Sequence, residues 1–173
     1  MSKAFDTIDH DVLLWKLNNF FGIRGIPLKL LASYLQGRQQ YTVIDGCTSA
    51  TLNITKVVPQ GSSLGPLLFA LYINDLPSTT KLTPTLVADD TVLFISGSNS
   101  TELQSIVNTE LEKVNEWLRF NKLSLNYSKT SYMIVSSKNN QLTEFNVKIN
   151  DKTITRTTCV KYRGVFIDEA YLV

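Results

Sequence analysis

Apolar residues recur along the chain at helical spacing, most clearly over residues 101–120. There they return every three or four positions, which is the period of one helical face. Asn99, with Glu102 three residues later, matches a capping box at the start of this predicted helix. Its apolar face consists of Leu103, Ile106, Val107, Leu111, Val114 and Leu118.

Three shorter helices are predicted nearer the start of the chain. Asp9 or Asp11 can cap a helix over residues 12–21. A second helix begins at Pro27, a favoured first-turn residue, and Gly37 follows it as a C-cap. The third covers 64–76, which is almost wholly apolar. It is too short to span a membrane, so it is predicted to be a helix buried on most sides.

Stretches rich in Val, Ile, Thr and Tyr predict strands joined by turns. Residues 40–44 and 51–58 predict a hairpin with a longer loop, with Asp45-Gly46 between them. Further strands are predicted over 86–95 as a hairpin, 131–136, 145–149 paired with 153–157 around 150–152, and 160–167. Because tight hairpins make the sheet largely antiparallel, the fold class is predicted to be α+β, with an antiparallel sheet packed on helices.

Composition narrows the class of protein without identifying it. The chain has 173 residues, of which 43% are hydrophobic, enough for the core of one domain. The net charge of +2 neither requires nor excludes a nucleic-acid partner. Cys47 and Cys159 lack metal-ligand spacing and are predicted to be free thiols. No apolar run is long enough for a membrane span, so we expect a soluble intracellular protein, cytoplasmic or nuclear, with no membrane partner.

Two adjacent carboxylates, Asp89 and Asp90, lie between the apolar runs of the 86–95 hairpin. Side by side on a tight turn they repel each other, and a divalent cation such as Mg²⁺ would compensate them. An Asp-Asp pair taken alone is more often a solvated loop. His10, the only histidine, is interpreted as structural, and Trp15 and Trp117 as core residues.

Five blocks follow one another along the chain. They are SKAFDTIDH at 2–10, VPQGSSLGPLLF at 58–69 continued by LYINDLP at 71–77, VADD at 87–90, NKLSLN at 121–126 followed by Lys129-Thr130, and VKYRGVFID at 160–168. In this order they resemble the palm of non-LTR retrotransposon reverse transcriptases, the last being similar to the primer-grip block. The resemblance spans nearly the whole chain.

The resemblance implies a reverse-transcriptase palm of ferredoxin-like, or RRM-like, architecture. Residues 1–173 would form a single partial domain, with fingers and thumb missing. The implied activity is RNA-directed DNA synthesis, in which a DNA primer is extended on an RNA template with deoxynucleotide triphosphates. Two Mg²⁺ ions, or Mn²⁺, would clamp the attacking and leaving oxygens. Asp89 and Asp90 would be the catalytic metal ligands.

The same resemblance implies four substrate-binding residues. Phe5 would face the sugar and exclude a 2′-hydroxyl, although it is also interpretable as a plain core aromatic. Gln60 and Gly61 would shape the template and nucleotide pocket, since glycine lets the backbone approach a ligand closely. Alternatively, Gln60 and Gly61 belong to a simple turn before a helix. Lys129 would approach the phosphates as a compact charge, or be an ordinary surface lysine.

The first block departs from the family pattern at its start. The family's leading metal-binding Asp would lie one residue before Met1. Asp6 is the block's second acid and is not expected to replace it, so we expect no polymerase activity from this polypeptide. Val87 replaces the usual aromatic before Ala-Asp-Asp. Arg163 replaces the usual Leu of the last block, which suggests relaxed selection or an exposed edge.

Three other hypotheses stay open at this point. The chain could be a non-catalytic palm remnant that binds primer–template, with salt-sensitive affinity and no turnover. A receiver-like phosphotransfer domain built on Asp89-Asp90 would require a parallel sheet, whereas this sequence predicts hairpins. A translated fragment without selected function is the last alternative.

Overall fold

The computed structural model describes residues 6–58, 61–87, 90–136 and 145–169. Within them the chain forms four α-helices: α1 His10–Asn19, α2 Gly25–Leu35, α3 Gly65–Ile73 and α4 Ser100–Phe120. The strands are β1 Gln39–Gln40, β2 Val43–Ile44, β3 Cys47–Thr48, β4 Leu52–Asn53, β5 Thr83–Val87, β6 Asp90–Phe94, β7 Ser131–Tyr132, β8 Lys148–Ile149, β9 Lys152–Thr153, β10 Thr155–Arg156, β11 Cys159–Tyr162 and β12 Val165–Asp168. The predicted combination of helices with mainly antiparallel strands is therefore confirmed.

The helix starts follow from their caps. Asp9, and not Asp11, caps α1, since its carboxylate accepts a hydrogen bond from the Val12 N–H at 3.2 Å. Asn99 caps α4 by accepting from the N–H groups of Thr101 and Glu102. Both side chains satisfy backbone donors that have no partner inside the helix, which is why these two starts were predictable.

Two predictions of burial in the helices are wrong. Trp15 is 56% exposed and stacks edge-on against Phe20 at 5.2 Å on the outer face of α1. Helix α3 buries Leu68, Phe69 and neighbouring residues but leaves Leu67 54% exposed. An apolar stretch without polar residues therefore did not require burial on most sides.

The described strands form six separate two-stranded ladders instead of the single predicted sheet. Five ladders are antiparallel, and one of these, β1 with β4, encloses the β2–β3 hairpin. The sixth ladder pairs β7 with β10 in parallel. The predicted strand over 131–136 is confined to β7. Most strands are only two residues long. Each therefore pairs with one partner and has few backbone N–H and C=O groups left to bind a third strand.

Two-residue turns with positive φ close three of these hairpins. Asp45 and Gly46 join β2 to β3, so the predicted longer loop is a nested hairpin with a tight tip. Arg163 (φ 51°) and Gly164 (φ 83°) join β11 to β12. The single strand predicted over 160–167 is therefore wrong. Arg163 lies in a solvent-facing turn, which explains a charged residue there, and paired positive φ values match the twist of a hairpin.

One apolar cluster unites α1, α3 and α4 with Leu35 of α2, Ile8, Val58, Leu76 and Leu123. A smaller cluster of Val147, Ile149 and Ile154 packs against the other half of α4. Among the described residues no helix is long and apolar enough to cross a membrane. Cys47 and Cys159 are exposed free thiols, as predicted.

Candidate functional site

The acidic hairpin is present where the two flanking apolar runs predicted it. Strands β5 and β6 pair antiparallel over five positions, with Val87 opposite Asp90. Asp90 therefore begins the second strand, and it is exposed to solvent. Leu86 and Leu93 pack against the main core. Asp89 lies outside the described residues, so the pairing of the two carboxylates stays a prediction.

A buried glutamate anchors the chain just before this hairpin. Glu110 on α4 is 3% exposed and accepts hydrogen bonds from the N–H of Lys81 at 2.7 Å and the hydroxyl of Thr80 at 3.1 Å. Lys113 Nζ lies 2.6 Å from its other oxygen. The hydrogen bond from Lys113, joined by those from Lys81 and Thr80, lowers the pKa of Glu110 to about 2. Sequence analysis missed this residue, although an acid on an otherwise apolar helical stripe was a usable signal.

The first block is bonded to Val57, the residue just before the second block. The Val57 N–H donates to the Ile8 carbonyl at 3.1 Å, and His10 Nε2 lies 2.8 Å from the Val57 carbonyl oxygen. His10 is 4% exposed, in keeping with its predicted structural role. Val57 itself has a φ of 96°, which is a backbone outlier for a β-branched residue. The junction leads directly into the segment that contains Gly61.

The first and fourth blocks are joined by an ion pair. Lys122 Nζ lies 2.7 Å from Asp9 Oδ2. Burial acts to raise the pKa of Asp9, but the hydrogen bonds from Lys122 and the Val12 N–H outweigh it and leave that pKa below 3.8. Lys122 follows α4 in the left-handed region, with a φ of 53°. Leu123 N–H donates to the Leu118 carbonyl, the long hydrogen bond of a Schellman motif.

A buried lysine ties α1 to the tail of the second block. Lys16 Nζ donates to the Tyr72 carbonyl at 2.7 Å and to Asp75 Oδ1 at 2.6 Å. Lys16 Nζ also lies 5.1 Å from the ring centre of Tyr72 and 5.2 Å from that of Trp117. Burial lowers the pKa of Lys16 in spite of Asp75. Burial likewise raises the pKa of Tyr72 to about 12, and the Tyr72 hydroxyl donates to the Asn121 carbonyl at 2.6 Å.

These contacts bring the first, second and fourth blocks together but do not assemble the predicted site. Gly61 is exposed with a φ of 79°, where a side chain would be strained. Lys129 is exposed at the end of a 3₁₀ turn, and its N–H donates to Asn126 Oδ1 at 3.3 Å. No hydrogen bond or ion pair joins Asp90, Gly61 and Lys129 to one another in the described part of the chain. Phe5 and Gln60, like Asp89, lie outside the described residues.

The donor chemistry suits a hard divalent cation, although no complete cluster is present. Asp90 offers carboxylate oxygens, the ligand type that Mg²⁺ and Mn²⁺ prefer. Across the described ranges, no group of three or more His, Cys, Asp or Glu side chains is placed to hold a metal ion.

The comparisons with known proteins agree with the motifs. The family model "Reverse transcriptase (RNA-dependent DNA polymerase)" matches residues 1–167, and the chain belongs to this family. It is 26% identical over 98% of its length to the RNA-directed DNA polymerase from mobile element jockey of Drosophila funebris. It is 28% identical over 96% of its length to the probable RNA-directed DNA polymerase from transposon X-element of Drosophila melanogaster. The chain covers 19% and 18% of these two relatives, about a fifth of their length.

Proposed function

We propose that this chain is part of a retrotransposon RNA-directed DNA polymerase and contributes the palm of its active site. The supporting observation is the hairpin whose second strand begins with Asp90. Leu86 and Leu93 pack it against the main core, and Glu110 of α4 binds the residues just before it. The similarity to RNA-directed DNA polymerases of mobile elements favours RNA as template, a DNA primer, and deoxynucleotide triphosphates as substrates.

In this proposal the primer 3′-hydroxyl attacks the α-phosphate, a phosphorus–oxygen bond forms, and pyrophosphate leaves. Asp89 and Asp90 would hold two divalent cations, which supply stabilisation of the charge on the attacking and leaving oxygens. Phe5 would face the sugar, and Gln60 and Gly61 would shape the template and nucleotide pocket. Lys129 would contact the phosphates. The work of the protein is then positioning and electrostatic stabilisation.

A second candidate, nucleic-acid binding without turnover, is favoured by the last hairpin. Phe166 on β12 is 70% exposed, and Lys161 Nζ lies 5.6 Å from its ring centre. Arg163 lies 5.8 Å from the ring of Tyr162. The exposed Phe166 ring and the half-buried Tyr162 ring, each beside a cation, suit stacking on bases together with contact to phosphates.

Primer extension on an RNA template, with Mg²⁺ or Mn²⁺, separates the two candidates. We expect no incorporation by this polypeptide alone; any incorporation that it does show should fall by about 100-fold or more in Asp89→Asn and Asp90→Asn, because the cations supply several kcal/mol of charge stabilisation. The matched control is Asp45→Asn, since Asp45 also lies at a hairpin turn but outside every family block. It should extend primer like the unaltered chain.

Binding of a labelled RNA–DNA hybrid is measured in parallel over a range of salt concentrations. The non-catalytic alternative predicts that the logarithm of the binding constant for the hybrid falls linearly with the logarithm of the salt concentration, and that no nucleotide is incorporated. Incorporation that survives both aspartate substitutions would refute the assignment of these residues as metal ligands. Failure to bind the hybrid at all would contradict both candidates.

A further inference from the structure

We propose that His10 is a positioning residue that holds Val57 in its left-handed backbone conformation. Its role is to fix the direction of the chain where Val57 pairs with the first block, on the way toward Gly61. The consequence for nucleotide binding rests on the proposed function, whereas the backbone role does not.

The conformation of Val57 needs an external cause. Its φ of 96° lies in a region that residues with a branched Cβ almost never adopt, since the side chain meets its own backbone there. The side chain is only partly buried, so packing of the valine methyl groups does not account for it. A conformation of this kind persists only where the surroundings determine it.

Both backbone groups of Val57 are held by the first block. Its N–H donates to the Ile8 carbonyl at 3.1 Å, and its carbonyl accepts from His10 Nε2 at 2.8 Å. Because a carbonyl oxygen only accepts, Nε2 carries the proton. His10 is 4% exposed and Ile8 is fully buried, so water cannot easily replace either bond.

The conformation of Val57 matters because of the residues that follow it in the chain. Val58, the next residue, is 1% exposed and part of the core, and Gly61 turns the chain again with a φ of 79°. Without the bond from His10, Val57 would relax to negative φ. That rotation would change the direction in which the backbone enters the core at Val58, and so the direction from which it approaches Gly61.

The test uses hydrogen exchange at the Val57 amide, which needs no enzymatic activity. His10→Phe keeps the ring shape and removes the donor, whereas His10→Gln places an amide N–H near the position of Nε2. We expect His10→Phe to speed exchange of the Val57 amide by about tenfold, roughly one hydrogen bond, and His10→Gln to change it by less than about threefold. Amides of α4 report whether the fold as a whole has changed.

A Val57→Gly background makes the test specific for the strained backbone. Glycine adopts positive φ without strain, so His10→Phe should have little further effect there. Equal effects in both backgrounds would overturn the proposal, as would an unchanged Val57 amide in His10→Phe. If His10→Phe fails to fold, His10→Gln is compared with His10→Asn, whose donor is too short to reach. Equal exchange in that pair would also overturn it.

A kinetic measurement connects this role to the proposed function. In primer extension, His10→Phe should raise the apparent KM for deoxynucleotide by about tenfold while kcat changes far less, because the pocket wall is displaced and the carboxylates are not. Faster exchange of the Val57 amide with an unchanged KM would support the role of His10 in fixing the backbone and would refute its effect on nucleotide binding. If the unaltered chain incorporates nothing, as its first block predicts, the same loss is measured as the affinity for deoxynucleotide triphosphate in the presence of the RNA–DNA hybrid, and the exchange results decide the role of His10 independently.

Discussion

Lys122 combines an unfavourable backbone conformation with a favourable ion pair, and two substitutions separate them. It occupies the position after α4 that glycine usually takes in a Schellman motif. Its ammonium group pairs with Asp9 at 2.7 Å. Lys122→Ala removes the ion pair and keeps the Cβ in the left-handed region. Lys122→Gly removes both the ion pair and the steric strain.

The magnitude follows from exposure and conformation. The Lys122 side chain is 51% exposed and that of Asp9 is 10% exposed, so the pair should contribute about 1 kcal/mol, the upper end for pairs near the surface. The left-handed conformation costs a residue with a Cβ about 1–2 kcal/mol. Glycine recovers this but loses about 0.5–1 kcal/mol through the freedom of the unfolded chain.

We therefore expect Lys122→Ala to lower the free energy of unfolding by about 1 kcal/mol at pH 7. Lys122→Gly should be about 0.5–1 kcal/mol more stable than the alanine variant. Urea denaturation with an unchanged m-value measures both differences. Lys29→Ala, at an exposed position on α2, is the matched control and should change little.

The pH dependence supplies an independent check. The pKa of Asp9 is lower in the folded chain than its ordinary value of 3.8. The stabilisation by this carboxylate is thus fully present above pH 3.8 and is lost as the pH falls through the lower folded pKa. The difference between the unaltered chain and Lys122→Ala should shrink in that range. Equal stability of the alanine and glycine variants would refute the strain, and a difference that persists in acid would refute the ion pair.

Two further predictions concern the other buried charges. Lys16→Met should lower the free energy of unfolding by about 2–4 kcal/mol, because it leaves Asp75 partly buried without its cation; adding Asp75→Asn should recover part of this in urea denaturation, and additive losses would contradict a direct pair. Glu110→Gln should lower the thermal midpoint at pH 7 and abolish a loss of stability that the unaltered chain shows between pH 4.5 and about pH 2. An unchanged acid profile would refute the role of Glu110 in anchoring Lys81.

Local signals in the sequence predicted the helix starts and the acidic hairpin. Asn99 and Asp9 cap their helices through bonds to residues two or three positions away, so their effect is contained in a short window. The apolar runs on both sides of the acidic pair likewise predicted the hairpin that contains Asp90. These features depend on neighbouring residues alone.

Features that depend on distant residues were not predictable in the same way. Trp15 follows apolar Leu13 and Leu14, and three consecutive helical residues cover more of the helix surface than one core-facing stripe. Spacing therefore could not tell which of them points outward. Arg163 in the left-handed region is not a usual turn signal, so the hairpin that it closes was taken for one strand.

The candidate site was predictable only as a set of motifs. Contacts of Lys16 with Asp75 and of Asp9 with Lys122 join residues 59 and 113 positions apart, and nothing local specifies such pairs. The roles of Asp89, Asp90, Phe5, Gln60, Gly61 and Lys129 stay predictions, because they depend on substrates and on positions beyond the described residues. Family membership, in contrast, needed only the order of the blocks.

The isolation of β5 and β6 from other described strands has a thermodynamic consequence. A ladder of two strands has little stability of its own in water, so this hairpin depends on Leu86 and Leu93 packing beneath it and on Glu110 at its entrance. Such a unit opens at lower free energy than the helical core. A cation or nucleic acid that binds at Asp90 only when the strands are paired would shift this local equilibrium first. Ligand capture and the ordering of the hairpin would then be a single coupled process.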